Sequence, residues 1–249
     1  MIFEITSAKN PKFKYIKSLL LKKERQKNGE YTVEGEKSVR DALEAGAEIS
    51  CIVISDCYSK EADSIGAIGI DLYVVNKNIF SALCETKTPQ GILAVIKMRK
   101  GGKFTPDGNF VYCDRISDPG NLGTIIRTAD AAGFGVLLSH DCAELYNPKT
   151  VRASMGSFFH TNIYENIGYE ELKQSGLHLI AGALDKESKD YREADYSKPC
   201  AVIVGNEANG VLPELLDMCD EKVIIPIYGR AESLNAAVAA AILMYEAKR

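Results

Sequence analysis

Ile225-Pro226-Ile227-Tyr228-Gly229, followed after three residues by Ser233-Leu234-Asn235-Ala236-Ala237-Val238, reads as an apolar strand that meets a glycine turn and gives way to a helix. The helix starts on polar residues and then becomes wholly small and apolar. Two earlier stretches share that logic: Asp118-Pro119-Gly120-Asn121-Leu122-Gly123-Thr124-Ile125-Ile126-Arg127, and Val202-Ile203-Val204-Gly205-Asn206-Glu207. Each puts polar side chains and bare backbone where a strand ends. In open α/β proteins, ligand sites form there.

Outward from these stretches, apolar runs predict strands at Phe110–Asp114, Gly135–Ser139, His178–Leu184, Ala201–Val204 and Lys222–Ile227. Helical patterns fall between them at Thr124–Ala132 and Tyr169–Gln174, and a closing helix runs from Leu234 to Lys248. Its residues Leu234, Val238, Ala241, Ile242 and Tyr245 align on one face. Strands alternating with helices argue for a mostly parallel sheet covered on both sides. Upstream, strands at Glu30–Val33, Cys51–Ser55, Leu72–Val75 and Ile92–Lys97 and a helix at Glu36–Ala45 describe a smaller α/β domain. The basic, turn-rich stretch between them is a linker. The expected division is 1–98, a linker at 99–108, and 109–249.

The opening helix is expected over Ser7–Lys27, capped by Asn10, with Pro11 in its first turn and Phe13, Ile16 and Leu20 as its apolar stripe. Between Lys9 and Lys27 there are eight cations and one acid, Glu24. Residues 1–104 hold 17 Lys and Arg against 13 Asp and Glu, a net of +4, while residues 105–249 carry a net of −8. A dense cationic patch on an acidic protein points to a polyanionic partner. A solvated helix face is the plainer reading.

The composition sets further bounds. At 249 residues and 46% hydrophobic, the chain suits one large or two modest domains. No apolar run approaches the roughly 18 residues of a membrane span, and the first residues lack the pattern of a signal peptide. Seven cysteines without a Cys-x-x-Cys pair suggest reduced core residues in a reducing, cytoplasmic setting. Three histidines without ligand spacing argue against a zinc or iron site.

Each chemical segment has a structural reading beside the functional one. Asn121 precedes an apolar helix, and Arg127 lies about one turn inside it, at the wrong end of the macrodipole. Asp130 could offset that charge as an i,i+3 partner. Glu207 ends an apolar strand, where a carboxylate needs donors or a cation; it could also cap the helix that Leu212-Pro213 begins. No Gly-x-Gly-x-x-Gly and no Lys-Ser/Thr phosphate loop occur, which counts against a nucleotide-dependent enzyme of the doubly wound class. Ser233 and Asn235 could cap the last helix or offer donors to a ligand.

Taken jointly, Asn121-x-Gly123-x-x-x-Arg127, Gly205-Asn206-Glu207 and Ile225-Pro226-Ile227-x-Gly229…Ser233-Leu234-Asn235 resemble, in order and spacing, the three motifs of the SpoU-type RNA ribose 2′-O-methyltransferases. The resemblance covers residues 109–249. Asn10-Pro11-Lys12-Phe13-Lys14, Glu34-Gly35-Glu36 and Val39 are similar to the RNA-binding domain of ribosomal-RNA members. The resemblance implies a C-terminal trefoil-knotted, mostly parallel α/β sheet with a small N-terminal α/β RNA-binding domain, a homodimer, and S-adenosylmethionine as donor. It places the cofactor against Gly205, Ile225 and Leu234, with Leu184 and Pro226 close by. Arg127 would steady negative charge on the 2′-oxygen. Asn121 would orient Arg127 or the ribose, Glu207 would hold Arg127 or the loop, and Ser233 and Asn235 would position the substrate. Lys12, Lys14, Lys17, Lys22, Lys23 and Arg25, with Arg152 in Arg152-Ala153-Ser154-Met155-Gly156, would contact phosphate. The implied substrate is structured RNA, 23S ribosomal RNA foremost. Transfer RNA, or RNA binding without catalysis, are the alternatives.

Overall fold

The structure is a computed structural model and describes residues 1–58, 69–99 and 101–249. The chain forms two compact units. One comprises Met1–Lys100 with Tyr146–Phe159, and the other Gly101–Leu145 with His160–Arg249.

The first unit is built on five strands, β1 (Ile2–Ile5), β2 (Glu30–Glu34), β3 (Ile49–Ser55), β4 (Leu72–Val75) and β5 (Ile92–Lys97), in the order β1-β4-β3-β5-β2. β1, β4 and β3 pair in parallel, and β5 runs antiparallel to both β3 and β2. β1 adds an edge strand that the apolar pattern did not announce, because three of its four residues are exposed. The Pro11–Ser18 helix is capped by the Asn10 side chain, as its sequence predicts. It buries Phe13 and Ile16 against Ile5, Val53, Leu93 and Val95.

The expected single helix over Ser7–Lys27 is instead two, Pro11–Ser18 and Lys22–Asn28. The break is held by Arg25, grouped above with the phosphate-contacting cations. Its side chain is 2% exposed, and its guanidinium donates to the carbonyls of Leu19 and Leu20, both at 2.8 Å. These carbonyls at the end of the first helix need donors, and a buried cation needs acceptors. Arg25 is therefore a structural residue. Lys14, Lys17, Lys22 and Lys23 remain exposed, and Lys12 lies over the rings of Tyr15 and Tyr73.

Within the same unit, Tyr146–Phe159 closes an aromatic cluster. Tyr31 meets Tyr146 at 4.9 Å and Phe158 at 5.8 Å, and Phe158 meets Phe159 at 5.5 Å. Arg99 donates to the Phe159 carbonyl at 2.7 Å. At Gly156, where φ is +91°, an added Cβ would collide with the Asp41 carboxylate, so the close approach demands glycine.

The second unit holds seven strands, all parallel, in the order β10-β12-β9-β11-β6-β7-β8. They are β6 (Phe110–Asp114), β7 (Gly135–Leu138), β8 (Ile163–Tyr164), β9 (His178–Gly182), β10 (Lys189–Asp190), β11 (Cys200–Gly205) and β12 (Glu221–Ile224). The central strands β6, β9 and β11 are near-continuous apolar runs, as a sheet covered on both faces requires. Tyr112, Leu137, Leu179, Ala201 and Ile203 form the core of one face with Leu172 and Leu215. β12 stops at Ile224, three residues short of expectation, because Pro226 has no N–H for a ladder. β9 likewise stops at Gly182 instead of Leu184.

Two helices position the candidate site. One is Pro119–Ala132, five residues longer at its start than its apolar periodicity predicts. Its cap is Asp118, which accepts from the Asn121 N–H at 2.9 Å, so Asn121 sits inside the first turn instead of ahead of it. The other is Ala236–Glu246, capped by Asn235 and burying Ala236, Ala237, Ala240, Leu243 and Met244. Among the described residues no helix is long and apolar enough to cross a membrane. All seven cysteines are free thiols.

Phe158 is almost fully buried at the centre of the first unit's aromatic cluster. Phe158→Ala is expected to destabilise the protein by about 3–5 kcal/mol, read as a lower denaturant midpoint in chemical unfolding.

Candidate active site

Because every strand of the second unit runs the same way, the carboxyl ends of β6, β9, β11 and β12 share one edge. Asp114, Gly182, Gly205 and Ile224 end those strands. The three motifs leave the sheet along that edge, and the structure joins them through side-chain amides.

Glu207 is the anchor. Its Oε2 accepts from the Ser117 N–H at 3.2 Å and the Ser117 hydroxyl at 2.9 Å. Its Oε1 accepts from the Asp118 N–H at 3.3 Å and Asn121 Nδ2 at 2.8 Å. The Oδ1 of Asn121 accepts from Asn235 Nδ2 at 3.0 Å. The Oδ1 of Asn235 in turn accepts from the N–H groups of Ala237 and Val238, capping the last helix. A helix cap requires oxygen at one end of Asn235, so its nitrogen must face Asn121. That fixes the Asn121 oxygen toward Asn235 and its nitrogen toward Glu207. The relay therefore has one direction, set by the acceptor-only carboxylate at its head.

Burial pushes the Glu207 carboxyl up, but hydrogen bonds from Asn121, from its own backbone and from Ser117 outweigh that. Its pKa lies below the ordinary glutamate value. The carboxylate also faces the start of the Pro119–Ala132 helix, where the macrodipole favours negative charge.

Beneath the relay lies a hub that the sequence reading missed. Asp114, fully buried, accepts from Arg115 Nε at 3.2 Å and Nη2 at 3.0 Å, the Tyr169 hydroxyl at 2.7 Å and the Leu212 N–H at 3.0 Å. Arg115 Nη2 also donates to the Gly210 carbonyl at 2.9 Å, and Asn206 Nδ2 donates to the Arg115 carbonyl at 2.9 Å. Arg115 holds φ at +57°, a left-handed conformation that costs a non-glycine residue of order 1–3 kcal/mol. The surrounding bonds keep it there, and the 206–212 loop that carries Glu207 is tied down as a result. The signal was in the sequence: Asp114 ends an apolar strand just as Glu207 follows one. Gly205 serves this loop too. An added Cβ would come within 2.2 Å of the Gly210 and Val211 backbone.

Asn121, Glu207 and Asn235 are thus brought together, with Gly205 leading into the same loop. Ser233 and Leu234 directly precede the Asn235 cap. Leu184 lies two residues past β9, and Ile225 and Pro226 directly follow β12; the Ala183 N–H donates to the Val223 carbonyl at 2.9 Å, holding these two exits side by side. Leu184 is 69% exposed and Leu234 37%, large apolar side chains left open at a sheet edge. Among the described residues, none of the main-chain groups from Ile225 to Leu234 is hydrogen-bonded within the chain. Unpaired amides beside exposed leucines fit a ligand that combines a heterocycle with an aliphatic chain, as S-adenosylmethionine does.

Arg127 stands apart. It is exposed on the outer face of the Pro119–Ala132 helix, and neither Asn121, Glu207 nor the expected partner Asp130 bonds to it. Arg152 is exposed and belongs to the first unit. Among the described residues no group of His, Cys, Asp and Glu could hold a metal ion.

Two outcomes follow from the relay. The lowered Glu207 pKa stabilises the fold above the ordinary glutamate range, and that contribution disappears as pH falls through the lowered value. In thermal melts against pH, Glu207→Gln is expected to lose stability less steeply in acid than the parent protein. At neutral pH it is expected to be less stable, since an amide cannot accept on both sides. Asn121→Asp sets a second carboxylate against Glu207, and is expected to lower the melting temperature more than Asn121→Ala.

The geometry agrees with comparisons to known proteins. Residues 108–245 match the SpoU rRNA Methylase family, and residues 10–94 match the MRM3-like substrate binding domain. The chain is 42% identical over 246 residues, 97% of its length and 98% of the relative's, to the 23S rRNA (guanosine(2553)-2′-O)-methyltransferase RlmP of Bacillus subtilis. Identity to the tRNA (guanosine(18)-2′-O)-methyltransferase of Aquifex aeolicus is 35% over 149 residues, 56% of this chain and 68% of that one. Among solved structures, an AdoMet-bound rRNA methyltransferase from Sinorhizobium meliloti superposes with a TM-score of 0.91 at 35% identity, covering 99% of this chain and 97% of that one. With the family matching more than half its length and the parallel sheet carrying all three motifs on one edge, this chain belongs to the SpoU rRNA methylase family.

Proposed function

We propose that this protein methylates a ribose 2′-hydroxyl in structured RNA, with S-adenosylmethionine as donor and 23S ribosomal RNA as substrate. The observation that carries the reading is the Glu207–Asn121–Asn235 relay, which holds three distant loops beside the unpaired backbone of residues 225–234. The ribosomal substrate is favoured over transfer RNA because the ribosomal relative matches nearly the whole chain and the transfer-RNA relative little more than half.

When bound, the donor supplies an electrophilic methyl group on a sulfonium. Transfer would join the 2′-oxygen to that carbon and break the carbon–sulfur bond, with S-adenosylhomocysteine as the leaving group and the hydroxyl proton passing to water. Ile225, Pro226 and Leu234, with Gly205 and Leu184, would hold the donor through main-chain bonds and apolar contact. Asn235 and Ser233 would align the ribose, and alignment alone accounts for much of the expected rate gain. Arg127 would stabilise the charge that develops on the oxygen. It is an exposed cation in the middle of its helix that bonds to no side chain among the described residues, and its partner in this reading lies in RNA or in a second subunit.

A homodimer supplies that second subunit. The closing helix is apolar up to its last residue, Glu246, and Val238 and Tyr245 on it stay exposed. That face suits a copy of itself, and would bring Arg127 toward the partner's relay. The insertion of β11 between β6 and β9, with β12 beyond β9, supports the trefoil-knotted path of the family. In this reading residues 1–98 bind RNA, 109–249 catalyse, and 99–108 connect them. Seven free thiols suit the cytoplasm.

Incubation with labelled donor and 23S ribosomal RNA, followed by mapping of ribose methylation, tests the reading. Incorporation at a 2′-position is expected; RNA binding without incorporation would leave a non-catalytic RNA-binding protein. Arg127→Ala is expected to lower kcat by about 10²–10³ while calorimetry finds donor affinity and melting temperature unchanged.

A further inference from the structure

The first unit has a crevice of its own. β2 and β3 both run antiparallel to β5, and β3 is parallel to β4, so β2, β3 and β4 end on a common edge. A groove of about 960 Å³ opens there, lined by the segments that follow these three strands and by Pro89-Gln90-Gly91 ahead of β5. Crevices beyond the carboxyl ends of strands are where α/β sheets take ligands.

Three cations line it: Lys37 and Arg40 on the helix after β2, and Lys77 after β4. Among the described residues of the lining Glu36 is the one acid, which leaves them at a net of +2. The cations' intramolecular partners are weak ones. Arg40 meets Glu36 at 3.0 Å and Lys37 meets Asp41 at 2.8 Å and the Met155 carbonyl at 3.4 Å; in both i,i+4 pairs the cation itself is exposed, and such pairs compete poorly with phosphate. The Lys77 side chain, also exposed, bonds to nothing in the chain among the described residues. Tyr58, half-buried, lies beside Gly91 on the groove wall, and the Gln90 side chain reaches across to the Glu36 N–H at 2.9 Å. Cations along a groove with an aromatic ring and amides in its wall match an unpaired nucleotide strand, phosphates on the charges and a base near the ring.

We infer that this groove is an RNA-contact site in addition to the lysines of the first two helices, and that it takes an unpaired stretch of the substrate RNA. The identity of the ligand rests on the methyltransferase reading. None of Lys12, Lys14, Lys17, Lys22 or Lys23 lines the groove, so the two sets of cations contribute separately.

The test uses full-length protein and a 23S ribosomal RNA transcript. Lys37→Ala/Arg40→Ala/Lys77→Ala is expected to weaken binding roughly tenfold to a hundredfold, and to reduce the slope of log affinity against log salt by about two. A Lys37→Arg/Arg40→Lys/Lys77→Arg variant, which keeps the charges, is expected to bind as the parent does. Lys77→Glu alone, at a side chain that bonds to nothing among the described residues, is expected to weaken binding several-fold and serves if the triple variant proves unstable. Unchanged affinity and slope in a triple variant with a native melting temperature, or in Lys77→Glu, would overturn the proposal. S-adenosylmethionine calorimetry and methyl incorporation by the parent protein are measured alongside. If the parent fails both, the catalytic reading falls, while the variants' RNA affinities still decide the groove.

Discussion

A carboxylate cannot donate a hydrogen bond, and the geometry of the second unit depends on that fact. Glu207 gathers four donors, and the only side-chain amide among them passes the polarity on to Asn235, which spends its oxygen on the last helix. Each link admits one orientation because the next link does. Three loops, the first and last 114 positions apart, thereby hold one register through amides and one carboxylate.

The relay needs a firm base, and the buried Asp114 provides it. Its oxygens are satisfied by a guanidinium, a phenol and a backbone amide, all drawn from different segments. Arg115 accepts an unfavourable backbone conformation in exchange, and the same guanidinium reaches the Gly210 carbonyl. A loop pinned from below by Asp114 and from its tip by Glu207 has little freedom left. Such rigidity suits a reaction whose rate depends on alignment rather than on a strong acid or base.

Much of this was legible in the residues. The apolar runs at 72–75, 92–97 and 110–114 became strands with the expected limits, since burial on both faces dictates a run and its flanking polar residues end it. Asn10 with Pro11 marked a helix start correctly, a purely local device. What depended on distant partners was hidden. Arg25 looks like its lysine neighbours until the Leu19 and Leu20 carbonyls turn toward it. Asp118, rather than Asn121, caps its helix, because Asn121 is engaged 86 positions away by Glu207. Asp114 escaped notice because a lone acid after an apolar run does not reveal how many donors await it. The motifs named the site residues, but not the bonds between them.

The chain's path has a consequence for how the protein is made. Residues 146–159 leave the second unit to complete the aromatic cluster of the first, after two strands of the parallel sheet have already been synthesised. Vectorial folding from the ribosome cannot finish one body before beginning the next. The emerging polypeptide must keep Tyr31 and Val33 provisionally sheltered while their later neighbours arrive, so the interval before residue 158 appears is when the nascent protein is most exposed to misassociation.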